Sequence, residues 1–152
     1  MEQATRALAQ GREIGVTGTR TDITAFQREN LMFILSVIPS AVHYGDCSGA
    51  DYEAFQLCKG LGLWTVCHPP DQPFYRMFTK ADETRGEKGF LARDLDIVTE
   101  SKLLVVVPRQ NVQPVSNKGS GTWTTHGYAR QQHKTRIILW PDNRVEVRDY
   151  PW

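Results

Sequence analysis

Lys102-Leu103-Leu104-Val105-Val106-Val107-Pro108, followed after a polar insertion by Lys118-Gly119-Ser120-Gly121-Thr122-Trp123, is the stretch that decides the fold. The apolar run predicts a buried strand, and residues from Thr122 to His133 predict a helix, so the glycines form a strand-to-helix turn. Backbone N–H groups freed in such a turn, with those opening the helix, carry partial positive charge and accept an anion without any lysine or arginine. On this motif alone an ordinary turn reads equally well.

Two further turns of the same type shift the balance. Glu13-Ile14-Gly15-Val16-Thr17 runs into Gly18-Thr19-Arg20 and a helix start at Asp22-Ile23-Thr24; His43-Tyr44 runs into Gly45-Asp46-Cys47-Ser48-Gly49-Ala50-Asp51 and a helical pattern from Tyr52 to Lys59. Further strands are predicted at 41–44, 63–68 and 136–140, and further helices at 25–39, with Thr24 as cap and Pro39 as stop, and at 89–100. In that last helix Phe90, Leu91, Leu95, Ile97 and Val98 are expected to face inward, with Arg93, Asp94 and Asp96 interspersed. Strands alternating with helices give an α/β, Rossmann-like three-layer sandwich with a mainly parallel sheet of about five strands. Val145 to Tyr150, after the turn Pro141-Asp142-Asn143, adds a short C-terminal antiparallel edge. In such a sheet the three turns emerge at the carboxyl edge and define one composite site. Residues 1–12 form a leading segment, and 69–88 and 109–118 form long loops.

At 152 residues the chain is expected to be one domain, 1–152. Eighteen Lys and Arg against 17 Asp and Glu leave a net charge of +1, with no basic face beyond Arg130, His133, Lys134 and Arg136; nucleic acid is therefore not the expected partner. Cys47, Cys58 and Cys67 match no zinc spacing and are expected as reduced, buried thiols, and no metal or cofactor is expected. With no apolar run near the ~20 residues of a membrane helix and no signal segment, a soluble cytoplasmic protein without a membrane partner is expected.

Gly18-Thr19-Arg20, Gly45 to Asp51, Arg93-Asp94 and Gly119 to Thr122 occur in an order that resembles the SLOG superfamily, which includes the Lonely Guy phosphoribohydrolases, DprA/Smf proteins and small stand-alone domains often found in phages and mobile elements. The resemblance spans Ile14 to Leu139. It implies a modified Rossmann fold that binds nucleotides or nucleotide-derived signals, such as ADP-ribose or cyclic ADP-ribose types, in relatives that commonly form oligomers. A small stand-alone copy of this kind would act as a sensor or as a sequestering sponge, as in evasion of anti-phage defence. Lonely Guy enzymes carry a glutamate three residues after the threonine of the glycine turn, where this sequence has Thr125, and an arginine one helix earlier, matched by Arg93; Asp94 stands where small relatives often have asparagine. Binding without hydrolysis is the simplest inference, and cleavage of the N-glycosidic bond of nucleoside monophosphates, with Asp46, Asp51 or Asp94 replacing the glutamate, is the alternative.

The site residues follow from both readings. Phosphates are expected against the amides of Ser120, Gly121 and Thr122, with Gly18, Thr19, Gly45, Ser48, Gly49 and Gly119 shaping the turns and Arg20 adding a bidentate contact. Asp46 is the candidate ribose acceptor, Asp51 a helix cap or a second acceptor, and Asp46, Arg93 and Asp94 the weak catalytic candidates. Phe74, Tyr75 and Phe78 are candidates for stacking on a base, and Trp123 for stacking on or packing beneath the ligand. His68 and His126 lie near enough to the turns to donate protons, although isolated histidines in such places more often serve structure.

Overall fold

The computed structural model describes residues 13–37 and 41–149; the leading segment, the Pro39 stop and the extreme C-terminus lie outside them. The elements are β1 (Glu13–Gly18), α1 (Ala25–Val37), β2 (Ala41–Tyr44), α2 (Ala50–Leu61), β3 (Trp64–Cys67), β4 (Glu83–Thr84), α3 (Phe90–Glu100), β5 (Leu103–Val107), α4 (Gly121–Gln131), β6 (Thr135–Leu139) and β7 (Val145–Arg148). One seven-stranded sheet runs in the order β4-β3-β2-β1-β5-β6-β7. Every pairing is parallel except β6 with β7.

Each face of the sheet has its own core. Ile14 and Val16 of β1, Val42 of β2 and Val105 and Val107 of β5 meet Leu31, Ile34 and Leu35 of α1 and Ala54, Leu57 and Cys58 of α2. On the other face Leu104, Val106 and Ile138 meet Ile97 and Val98 of α3 and Trp123 and Ala129 of α4. The alternation follows from the two-residue period of a strand, which sends neighbouring side chains to opposite faces. Helix α1 opens as predicted: Thr24 Oγ1 accepts from Gln27 N (3.1 Å) while Gln27 Oε1 accepts from Thr24 N (2.9 Å), a reciprocal cap that satisfies two end groups. Cys47, Cys58 and Cys67 are free thiols, all buried.

Two expectations need correction. Segment 69–88 is not loop throughout, because Glu83–Thr84 adds a parallel edge strand beside β3. Side chains set that pairing: Asp82 Oδ2 accepts from Thr65 N (2.8 Å) and Thr65 Oγ1 (3.0 Å), and Glu83 Oε2 accepts from Trp64 Nε1 (2.6 Å). Helix α3 is also rotated from its expected phase. It buries Arg93, Asp94, Ile97 and Val98 and leaves Leu91 and Leu95 outward, 55% and 41% exposed. A buried ion pair has displaced two leucines from the inner face.

Candidate functional site

Strand order reverses at β1: the strands that follow it are laid down to one side as β2 and β3, and the later ones to the other as β5 and β6. Where order reverses, the loops leaving β1 and β5 diverge and open a crevice. A cavity of about 460 Å³ fills that position. Its wall takes in Gly18, Thr19 and Arg20 after β1, Gly45 and Asp51 after β2, Arg93 and Asp94 on α3, and Gly119, Ser120, Gly121, Thr122 and Trp123 at the start of α4. Three turns far apart in sequence thus share one rim.

The first two turns are locked together by backbone. Thr19 N donates to Val107 O (3.0 Å) and Ala50 N donates to Thr19 O (2.9 Å), so the start of α2 rests on the β1 turn. Gly49 makes that approach possible. Its φ of +78° is open only to glycine in practice, and a Cβ there would meet Arg20 C and Thr21 O at 2.6 Å. Gly49 therefore shapes the site without lining it, and Ser48 likewise turns away, donating its hydroxyl to Arg20 O (2.8 Å).

At α4 the glycine turn presents fewer donors than the sequence suggests. Ser120 N donates to Asn117 O (2.9 Å), and Ser120 Oγ caps the helix by accepting from Trp123 N (3.2 Å). The amides of Gly121 and Thr122, in the first two positions of the helix, have no acceptor within it, and both residues line the cavity at the positive end of the helix dipole. Gly119, at φ +79°, turns the chain into this start. Trp123 is part of the wall and only 3% exposed, tilted against Trp140 (centroids 5.6 Å apart) and edge-on to His126 (5.2 Å).

A buried charge network forms the cavity's inner wall. Arg93, only 6% exposed, places Nε 2.7 Å from Asp94 Oδ1 and donates through Nη1 to the carbonyls of Gly45 and of His68 (3.3 Å). Burial opposes the charge on Arg93, but Asp94 and Asp51 outweigh it and hold the guanidinium protonated. Burial pushes the Asp51 carboxyl up to about 6, helped by the charge of Asp94 and opposed by Arg93 and by the hydrogen bond from Cys47 N (3.2 Å). Burial also raises Asp94 above the usual carboxylate range, against the pull of Arg93 and Thr125. Thr125, at the position of the family glutamate, is buried against Asp94 and donates its hydroxyl to Gly121 O (2.6 Å). A carboxyl thus stands beside that position, supplied by α3 and not by α4.

Asp46 is not in the cavity wall. At φ +63° it turns its carboxylate to accept from Arg76 Nε (2.9 Å), Thr79 N (3.0 Å) and Thr79 Oγ1 (2.6 Å), which fastens the 73–79 segment to the β2 turn and leaves the ribose role without a free oxygen. The aromatic candidates are engaged elsewhere too. Arg20 lies over both Tyr75 (4.8 Å to the centroid) and Phe90 (4.5 Å), which meet edge-on at 5.5 Å; Phe78 lies under Arg76 (4.4 Å), and Phe74 is 90% exposed against the edge of Tyr75. Phe90, Cys47, Arg109 and Lys118 line the cavity although the sequence did not mark them as ligand-binding; Phe90 directly follows Gly89 at the start of α3, a position that hydrophobic patterning assigns to the core. His68 and His126 lie outside the lining, and burial holds both at about 4, neutral near pH 7 and poorly suited to donate protons.

No family model matches the chain, and no curated protein matches it. Among solved structures, TM1055, a structural-genomics target, superposes with a TM-score of 0.63 at 15% identity, over 82% of this chain and 72% of that one. DNA processing protein A (DprA) from Streptococcus pneumoniae superposes with a TM-score of 0.61 at 16% identity, over 86% of this chain; the match spans about half (51%) of DprA. The sheet order and both superpositions give the chain a Rossmann-like fold, shared with TM1055 and with the matched half of DprA.

Proposed function

We propose that the cavity binds a nucleotide-derived small molecule, of the ADP-ribose or cyclic ADP-ribose type or a nucleoside phosphate, and holds it as a sensor or sequestering protein. The observation that carries this reading is the pairing of the unpartnered Gly121 and Thr122 amides with the cations Arg20, Lys118 and Arg109 around one cavity. Its volume lies within the range of small-molecule pockets, roughly 300–1,000 Å³. Phe90 lines the same cavity, and the face of its ring not covered by Arg20 is the surface this reading offers a base. Leu91 and Leu95, turned outward on α3, offer the apolar surface for the homo-oligomer this reading includes. Calorimetry and thermal shift with ADP-ribose, cyclic ADP-ribose and AMP test binding, and chromatography of the same mixtures tests turnover. Raised melting temperature with intact ligand is expected; no shift with any of the three would refute the reading.

A second reading, N-glycosidic cleavage, draws on one observation: the Asp94 carboxyl lies beside Thr125, and its raised pKa suits a proton donor. Release of free base from AMP by the wild type, abolished by Asp94→Asn, would select it.

Asp51 gives the binding reading a pH signature. An anion must approach a carboxyl that is neutral below about 6 and charged above it, so affinity is expected to rise as pH falls through that value. For ADP-ribose, whose diester pyrophosphate does not titrate there, the gain between about pH 7.5 and 5 is expected to be roughly fivefold, near 1 kcal/mol. Asp51→Asn is expected to bind more tightly at neutral pH and to flatten the profile. An unchanged slope in that variant would assign the effect to another group.

A further inference from the structure

On the α3 face of the sheet, outside the cavity, His43 of β2, His68 after β3 and Glu100 at the end of α3 converge. His43 Nδ1 lies 2.9 Å from His68 Nε2, and Glu100 Oε2 lies 3.8 Å from the same nitrogen. The three ligating atoms all fall within 4.8 Å of one another. We propose that these residues form a binding site for a divalent transition-metal cation of the zinc class, with His43 Nδ1, His68 Nε2 and Glu100 Oε2 as ligands.

Several features favour a metal ion here. Glu13 Oε1 lies 3.1 Å from His43 Nε2, so that nitrogen carries the proton and Nδ1 presents its lone pair to His68. A carboxylate behind a ligating imidazole is the usual outer partner in metal sites, fixing tautomer and orientation. Both histidines are buried, 1% and 2% exposed, so their positions are fixed by the surrounding core. Without metal, one proton on His68 Nε2 bridges the rings. With metal, the cation takes that place and His68 carries its proton on Nδ1, a tautomer change with no net proton release. Arg85 holds Glu100 Oε1 through Nε (3.1 Å) and Nη2 (2.7 Å), leaving Oε2 toward the histidines. Arg85 repels a cation, while Glu13, Glu83 and Glu100 around it attract one. Two nitrogens and one oxygen with a fourth position left for water match the donor set and number of open zinc sites. None of the three ligands lines the cavity, so this site stands or falls apart from the nucleotide reading.

The test uses the full chain stripped with chelator and titrated with Co(II), followed by its visible absorption, and with Zn(II) by competition against a chromophoric chelator. One equivalent is expected to bind and to raise the melting temperature. His68→Ala and Glu100→Gln are each expected to weaken binding at least tenfold, and Glu13→Gln, which touches no metal, about 10- to 100-fold. Glu100 is partly exposed at a helix end, so Glu100→Gln decides the matter if His68→Ala does not fold. Substoichiometric binding, affinity unchanged in Glu100→Gln, or a sulfur-to-cobalt charge-transfer band assigning the metal to the buried cysteines would each overturn the site.

Discussion

Gly49→Ala is expected to destabilise the protein by about 3 kcal/mol or more, lowering the melting temperature by at least about 6 °C. Two effects add. The residue sits at φ +78° and ψ −129°, a region that L side chains rarely enter, and the new methyl group would be driven into the backbone from Thr19 to Thr21. That backbone cannot yield independently, because Thr19 is bonded both to Val107 and to Ala50. Against a total stability of about 5–15 kcal/mol the loss is large. Gly60→Ala is the contrast: Gly60 lies inside α2 with nothing within 4 Å of an added Cβ, so alanine is expected to be neutral or stabilising by up to about 1 kcal/mol. Chemical denaturation of both variants checks the pair; equal effects would show that the packing of the β1 turn against α2 does not govern stability.

Gly121→Val is expected to abolish ligand binding while the fold survives. An added Cβ would meet only Asp94 Oδ2, at 3.8 Å, and the position carries no left-handed backbone, so valine is tolerated at this helix start. Its branched methyl groups would stand where an anion must come to reach the Gly121 and Thr122 amides. A loss of affinity of at least about 100-fold, near 2.8 kcal/mol, is expected for ADP-ribose with the melting temperature of the free protein close to wild type. Retention of affinity would show that the α4 turn is not the anion site.

The parts of this architecture that depend on local pattern were legible in the sequence. Apolar runs followed by glycine turns placed β1, β2 and β5 and the gathering of their loops on one rim, because strand period and turn chemistry are both local. What escaped depends on partners distant in sequence. Nothing around Asp46 announces that Arg76 and Thr79, 30 and 33 residues on, will occupy its carboxylate. Hydrophobic periodicity turned Leu91 and Leu95 of α3 inward because it ranks a charge as an outer residue, whereas inside the protein Arg93 pairs as an ion with Asp94 and donates through Nη1 to the Gly45 and His68 carbonyls. The edge strand β4 is two residues long and is held by Asp82 and Glu83 side chains, a device with no periodicity to detect. His43, His68 and Glu100 come from three elements, and each reads in isolation as an ordinary structural residue.

Amide chemical-shift mapping of isotope-labelled protein with ADP-ribose tests the central claim most directly. The account predicts that the largest displacements fall on the Gly121 and Thr122 amides, followed by residues of the Gly18 to Arg20 turn, with saturation at one ligand per chain. Displacements concentrated elsewhere, with the α4 turn unmoved at saturation, would contradict it.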